Sequence, residues 1–291
     1  MHIHLFEGPE GRGERGREAA PALVLRTALR GAVHVAWRNR SVRVDPDTYL
    51  VLGGGRPCSA VCEASAACQV LVVEVSASEL DSALAGHAAD LEALDAHARG
   101  ARAGARHAFS EHLRTAAGGV GGRLRALGAA CKGGGPATLA ERDQLPALLG
   151  DVIGEELDLR RRAARITSVK PATRDELLRR ILLAADFIQS NHDEPLSLDD
   201  MARAASLSRF HFVRLFSLVH GETPHAFLLR KRTAVARRHL EVGSAYAEAA
   251  TRAGFGSRSA LFRNLRKSAV LGAAAAMTST PEPAAPCFLF A

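Results

Sequence analysis

The sequence predicts an α+β protein, with an N-terminal β-barrel followed by helices and then an all-α C-terminal domain. Two observations predict this division. Short stretches of alternating apolar residues occupy residues 22–75, whereas residues 78–164 and 174–267 are rich in Ala and Leu at helical spacing. The chain has 291 residues, of which 47% are hydrophobic, and this is enough for two domains with cores of their own.

The strand-like stretches are short and are separated by turn residues. Val33, Val35 and Trp37 alternate with other residues, and Val42 and Val44 continue the same period of two. The sequences Asp45-Pro46-Asp47 and Gly53-Gly54-Gly55 are typical of turns. Many short strands with turns between them favour a barrel or a sandwich over a parallel sheet.

The helical stretches divide at a segment without periodicity. In the first half we expect helices at about 78–98, 105–116, 121–130 and 137–164. The segment "ITSVKPATRDE" (166–176) contains a proline and lacks a helical pattern. We therefore predict four parts: a sensing and dimerisation domain at 1–165, a linker at 166–173, a helical domain at 174–272, and a disordered tail at 273–291.

Positive charge is concentrated in the helical domain. The net charge of the chain is +7, yet residues 1–171 hold 22 Lys and Arg against 20 Asp and Glu. Residues 206–267 hold 12 basic and only three acidic side chains, which favours an anionic partner for this domain. Five cysteines argue against a secreted disulfide framework, and no apolar run is long enough to span a bilayer. We expect a cytoplasmic protein without a membrane partner.

Residues 198–219 predict a helix-turn-helix unit that reads DNA. Ser206 to Ser208 form the turn, and Ser208 is suited to cap the second helix. That helix has an apolar stripe facing inward, at Phe212, Leu215, Phe216 and Val219. An outward face that combines Arg with apolar side chains suits a DNA major groove, where Arg pairs with guanine and apolar atoms meet a thymine methyl group. The predicted base-reading residues here are Arg209, Phe210, Val213 and Arg214.

The same pattern returns 49 residues later, with Ser257, Arg258, Leu261 and Arg263 in place of Ser208, Arg209, Phe212 and Arg214. Upstream, Ala250 and Gly254 repeat Ala202 and Ser206, with one extra residue in the second turn. Between the copies, a helix from Pro224 to about Gly243 would span about 28 Å, close to the roughly 34 Å between major-groove faces on one side of a duplex. The predicted phosphate contacts are Ser208, Arg230, Lys231, Arg232, Arg237 and Ser257.

Residues 174–267 resemble the DNA-binding domain of the AraC/XylS family of transcription regulators. The resemblance rests on 198–216, on "FLLRKRTAVARRHL" with Arg232 and Ala236, and on "AGFGSRSALFRNLRK". It implies seven helices, binding of double-stranded promoter DNA, and contact with RNA polymerase. It also implies a second groove-facing set: Arg258, Ser259, Phe262 and Arg263. Two departures predict weaker packing of the second unit: Ala249 stands where the family usually has Ile, and the family's aromatic-Gly-x-x-Pro element does not follow Lys267.

The N-terminal half more loosely resembles the cupin-like sensor domain of such regulators, on "VDPDTYLVLGGGRPCSA". The resemblance implies a homodimer that responds to an unknown small-molecule effector. We expect no metal, cofactor or catalytic residue: His34 stands alone in its strand, and Cys58, Cys62 and Cys68 lack a fourth zinc ligand. An alternative of another class is an enzyme, either a cupin-type metal-dependent oxygenase or a thiol-based repair or sensor enzyme fused to a helical domain.

Overall fold

The computed structural model describes residues 2–7, 10–11, 20–54, 57–63, 68–87, 109–116, 118–131, 139–167 and 170–267. The predicted tail at 273–291 and Cys287 lie outside these residues. The chain divides into two compact units, residues 1–231 and 232–291. The predicted domain boundary at 166–173 stays a prediction.

Two antiparallel sheets form the N-terminal part. The larger sheet has the strand order β1-β8-β3-β6-β9 and the smaller one the order β2-β7-β4-β5. The strands of the larger sheet are β1 His2–Glu7, β3 Leu23–Arg30, β6 Thr48–Gly53, β8 Gln69–Val75 and β9 His112–Thr115. Those of the smaller sheet are β2 Glu10–Gly11, β4 Val33–Trp37, β5 Arg40–Val44 and β7 Cys58–Cys62.

Alternating side chains place the larger sheet between two cores. On one face Val24, Leu50 and Val72 pack with Val35 and Trp37 of the smaller sheet. On the other face, side chains of the intervening residues pack on helices α1 (Ala77–Ala85), α2 (Gly118–Cys131) and α3 (Leu139–Ala164). The arrangement is therefore smaller sheet, larger sheet and helices, which confirms the predicted fold class of a sheet-rich region followed by helices.

Two local expectations were wrong. The run through Val44 is not one strand, because a two-residue turn at Arg38 and Asn39, with φ of 51° at Arg38, folds it into the β4–β5 hairpin. Residues 112–115 of the helix expected at about 105–116 instead form a strand, since β9 pairs with the edge of β6. At the start of the chain, β1 pairs with β8.

The helical part begins with α4 (Pro171–Ser190), α5 (Leu198–Ala204) and α6 (Arg209–His220). Their shared core contains Phe212, Phe216 and Phe227, and the Phe216 and Phe227 rings meet edge to face with centroids 5.3 Å apart. Helix α7 runs from Pro224 to Glu241, α8 from Tyr246 to Arg252, and α9 covers 258–267. None of the helices that the structure describes is long and apolar enough to cross a membrane.

Candidate nucleic-acid interface

The first helix-turn-helix unit is defined by a capped helix and a tight turn. Ser197 and Asp200 form a reciprocal capping box at the start of α5, in which the Ser197 hydroxyl accepts from the Asp200 N–H at 3.2 Å. Ser206 then adopts a left-handed conformation with φ of 52°. The Leu207 N–H donates to the Ala202 carbonyl oxygen at 3.0 Å, and this bond turns the chain into α6.

The second unit repeats these bonds. Gly254 takes the left-handed position with φ of 77°, and the Phe255 N–H donates to the Ala250 carbonyl oxygen at 2.8 Å. Gly254 lies 48 residues after Ser206, its counterpart in the first turn. Ser257, which precedes α9, lies 49 residues after Ser208, because Gly256 is an extra residue in the second turn. The repeat and its one-residue insertion were both predicted from the sequence.

Helix α6 exposes an aromatic side chain beside two arginines. Phe212, Leu215, Phe216 and Val219 are buried as predicted. Phe210 is 81% exposed, and the Arg209 and Arg214 side chains are also exposed. Val213, predicted to face outward, is half-buried because its side chain packs partly against the core of the unit. The outward face of α6 is therefore basic with one prominent apolar ring.

Each of the two arginines of α6 has an intramolecular partner. The Arg209 guanidinium makes a two-pronged ion pair with Asp199 of α5. The Arg214 guanidinium donates to Thr167 Oγ1 at 3.4 Å, a long hydrogen bond. Both partners are at the protein surface, where a single hydrogen bond contributes little to stability but a two-pronged Arg–carboxylate pair contributes more. Arg214 can therefore exchange its partner for a base or a phosphate at small cost, whereas Arg209 must first give up its pair with Asp199.

Helix α9 presents a comparable face. Leu261 is buried in place of Phe212, while Phe262 is 54% exposed. The side chains of Arg258, Ser259 and Arg263 are exposed around it. The Ser257 hydroxyl accepts from the Ala260 N–H at 3.2 Å and so caps the helix, whereas the hydroxyl of Ser208 makes no capping hydrogen bond to α6. The sequence therefore predicted the capping position of Ser208 but not its bonding.

The basic residues of α7 differ in their surroundings. Arg237 is exposed and Arg232 is half-buried. The Arg230 guanidinium donates to Glu222 at 2.9 Å and to Thr115 Oγ1 at 3.2 Å, and it lies over the Phe227 ring. Lys231 is buried, with its ammonium group on the Asp45 carboxylate. The expectation that Lys231 is open to phosphate does not hold in this conformation, because Asp45 occupies its donors.

The sequence did not predict the contacts between the sheets and helix α4. The Asp186 carboxylate of α4 is buried, accepts from the Leu113 N–H of β9 at 2.8 Å and pairs with Arg40 of β5. Burial raises the pKa of Asp186 to about 7, although Arg40 and the Leu113 N–H act in the opposite direction. Gln189 Nε2 donates to the Leu113 carbonyl oxygen at 3.1 Å. No sequence pattern pairs residues so far apart. The one signal in the sequence was an acidic residue, Asp186, on the inward side of α4.

The cysteines and histidines of the sheets form no recognisable metal site. Cys62, Cys68 and Trp37 are buried in the core between the sheets. Burial, with Cys62 nearby, raises the pKa of the Cys68 thiol to about 12. His34 Nε2 lies 3.1 Å from Glu63. Within the described parts of the chain, no three His, Cys, Asp or Glu side chains are placed to hold a metal ion.

Comparison with protein families identifies the repeated units. A family model described as a helix-turn-helix domain matches residues 201–270, which extend from α5 through α9. The C-terminal part of the chain is an AraC-type helix-turn-helix domain. Helix α6 ends the first helix-turn-helix unit of this domain, and α9 ends the second. No curated protein sequence matches the chain.

Distant similarities to solved structures extend over the whole chain. ToxT from Vibrio cholerae is 10% identical over 90% of this chain and 92% of its own, with a TM-score of 0.38. ToxT bound to (E)-4-(8-methylnaphthalen-1-yl)but-3-enoic acid gives 11% identity, 90% and 92% coverage, and a TM-score of 0.37. The AraC-like transcriptional activator CuxR is 16% identical over 86% of this chain and 76% of its own, with a TM-score of 0.27. The AraC-type assignment rests on the family match, not on these similarities.

Proposed function

We propose that this protein is a sequence-specific transcription regulator whose AraC-type domain binds two adjacent major-groove faces of a promoter. The observation that carries the proposal is the repeated unit, in which α6 and α9 each expose an aromatic ring beside arginines. Exposed aromatic rings are unfavourable on a solvated helix face but are suited to a surface that contacts DNA bases. Two units with the same surface chemistry on one chain suit a DNA site with two recognition segments.

The roles of individual residues follow from their placement. Arg209, Phe210, Val213 and Arg214 would read one half of the site, and Arg258, Ser259, Phe262 and Arg263 the other half. Ser208, Arg230, Arg232, Arg237 and Ser257 would bind phosphates and so fix the register of the domain on the duplex. Helix α7, with 18 residues and a length of about 27 Å at 1.5 Å per residue, would serve as the connector between the two helix-turn-helix units.

We further propose that residues 1–165 sense a small molecule. Support comes from their two-sheet architecture with an apolar core between the sheets and from the direct contacts of β5 and β9 with α4. A change in the sheets would thus reach the first DNA-reading unit through α4. The proposal includes a homodimer in the cytoplasm that contacts RNA polymerase at the promoter.

The proposal is tested by selecting duplexes from a random library with the full chain. We expect an enriched site with two recognition segments about one helical turn apart. A variant with Arg214→Ala should lose preference in one segment, and Arg263→Ala in the other. Retention of duplexes without any enriched sequence would contradict sequence-specific binding.

A further inference from the structure

The turn between β5 and β6 holds Lys231 in a buried ion pair. The Lys231 ammonium donates to Asp45 Oδ1 at 2.7 Å and to Oδ2 at 2.6 Å. Asp45 is 2% exposed and Lys231 4% exposed, so that water has little access to either. Asp47 Oδ2 lies 4.0 Å from the same ammonium group. Because these carboxylates surround it and little water reaches it, the ammonium group is not available to a DNA phosphate.

The Asp45 carboxylate is fixed by its own turn. Oδ1 accepts from the Asp47 N–H and from Thr48 Oγ1, both at 3.0 Å, and the Thr48 N–H donates to the Asp45 carbonyl oxygen at 3.0 Å. This turn joins β5 of the smaller sheet to β6 of the larger sheet. A shift of one sheet relative to the other would therefore move the carboxylate that binds Lys231.

The N-terminal half of α7 is held against the sheets by more than this pair. Arg230 donates to Thr115 Oγ1 at the end of β9, and Phe227 and Leu228 are buried in the core with α6. Lys231 cannot leave Asp45 for a phosphate by rotating in place, because its stem is buried as well. Its release requires this half of α7 to move away from the Asp45–Thr48 turn.

We infer that Asp45 is an autoinhibitory residue, which withholds Lys231 of α7 from the DNA backbone until the β5–β6 turn moves. This inference rests on the DNA binding proposed above. In the state described here, the chain binds DNA without Lys231. Displacement of the turn frees one additional cation for phosphate, and the sheets thereby control the strength of DNA binding rather than its sequence preference.

The test uses the full chain and a fixed duplex, with affinity measured by fluorescence anisotropy from 50 to 200 mM salt. Asp45→Asn keeps the oxygen that the turn needs and removes the charge that holds Lys231. A buried ammonium group without its carboxylate is strongly destabilised, so the substitution favours the conformation in which this half of α7 leaves the turn. We expect the slope of log affinity against log salt to become steeper by about 0.9, the contribution of one phosphate contact. The variant should lose about threefold more affinity than wild type across this range.

Three controls make the outcome specific. Asp158→Asn removes the same charge from an exposed i,i+3 pair with Arg161 and should leave the slope unchanged. Lys231→Met should leave the wild-type slope unchanged, and in Asp45→Asn it should restore that slope. Acylation of Lys231 followed by mass spectrometry should show a protected amine in wild type and a reactive one in Asp45→Asn.

The inference is overturned if folded Asp45→Asn keeps the wild-type slope, or if Lys231→Met alone makes the slope shallower by about 0.9. Should Asp45→Asn fail to unfold cooperatively, the Lys231→Met slope and the acylation of wild type decide the question. A slope near zero for wild type would instead contradict the proposed DNA binding itself, so the two failures are distinct.

Discussion

Ser206 and Gly254 occupy the same left-handed backbone position in the turns of the two helix-turn-helix units, with φ of 52° and 77°. In each turn the following N–H returns to a carbonyl oxygen five residues upstream, at Ala202 and at Ala250. An L-residue in this conformation costs roughly 1–2 kcal/mol, a cost that glycine avoids. The first unit therefore tolerates a strained serine where the second uses glycine.

We predict that Gly254→Ala lowers the free energy of unfolding of the second unit by about 1–2 kcal/mol. Ser206→Gly should change the stability of the first unit by less than about 0.5 kcal/mol, because relief of the strained φ is offset by the greater freedom of glycine in the unfolded chain. Hydrogen exchange of the amides of Ala250 and of Ala202 measures the two effects separately. A tolerated Gly254→Ala would mean that the second turn is not held in this conformation.

The repeat and its offset could be predicted because they depend on local residue types. Serines at helix starts, apolar residues three and four apart, and arginines at fixed distances from the cap are visible in one dimension. The β4–β5 hairpin could not be predicted in this way, because Arg38 and Asn39 are not the glycine-containing pair that marks such turns. Strand β9 and the Asp45–Lys231 pair could not be predicted either, since each depends on a partner that only the fold brings near.

The two units should differ in protection. The first buries Met201, Phe212, Leu215 and Phe216, whereas the second buries mainly Ala249, Ala250, Ala253, Phe255 and Leu261. At about 25 cal/mol per Å² of apolar surface, the smaller side chains stabilise the second unit by several kcal/mol less. We predict that without DNA the amides of 246–267 exchange much faster than those of 199–219. Equal exchange would show that residues 268–291 supply additional packing.

Substitution of Arg214 and of Arg232 should weaken DNA binding in different ways. Arg214 is on the exposed face of α6, so Arg214→Ala should cost about 1–3 kcal/mol at one base pair and relax the preference there. Arg232 is on α7, and Arg232→Ala should weaken binding to all duplexes alike and reduce the salt slope by about 0.9. Anisotropy against the selected duplex and single-base-pair variants separates the two. Identical profiles would contradict the division into reading and positioning residues.

His220 should make the first unit sensitive to acid. Burial, together with the positive charges of Arg230 and Arg162, lowers the pKa of His220 to about 3. Its ring packs on Phe216 and Phe227, with centroids 4.4 and 5.1 Å away. Because the folded-state pKa of His220 is below the unfolded value of 6.5, neutral His220 stabilises the folded state fully above pH 6.5. This stabilisation is lost as the pH falls from 6.5 toward 3.

We predict that between pH 7 and pH 4.5 the free energy of unfolding falls by about 1–3 kcal/mol less in His220→Phe than in wild type. Asp186, whose pKa is raised to about 7, contributes with the opposite sign in this window, since it favours the folded state at low pH. Wild type and His220→Phe must therefore be compared with each other by urea unfolding at each pH. The same loss in both proteins would show that His220 does not control acid stability.

We propose that the AraC-type domain recognises a DNA sequence through two basic helices, α6 and α9. The most direct measurement compares the affinity of the full chain for its selected duplex and for a shuffled duplex of equal composition, at several salt concentrations. With about five or six phosphate contacts, we predict a slope of about −5 on a log–log plot and an affinity ratio of at least about 10³ in favour of the selected duplex. Equal affinity for both duplexes, or a slope near zero, would contradict the account.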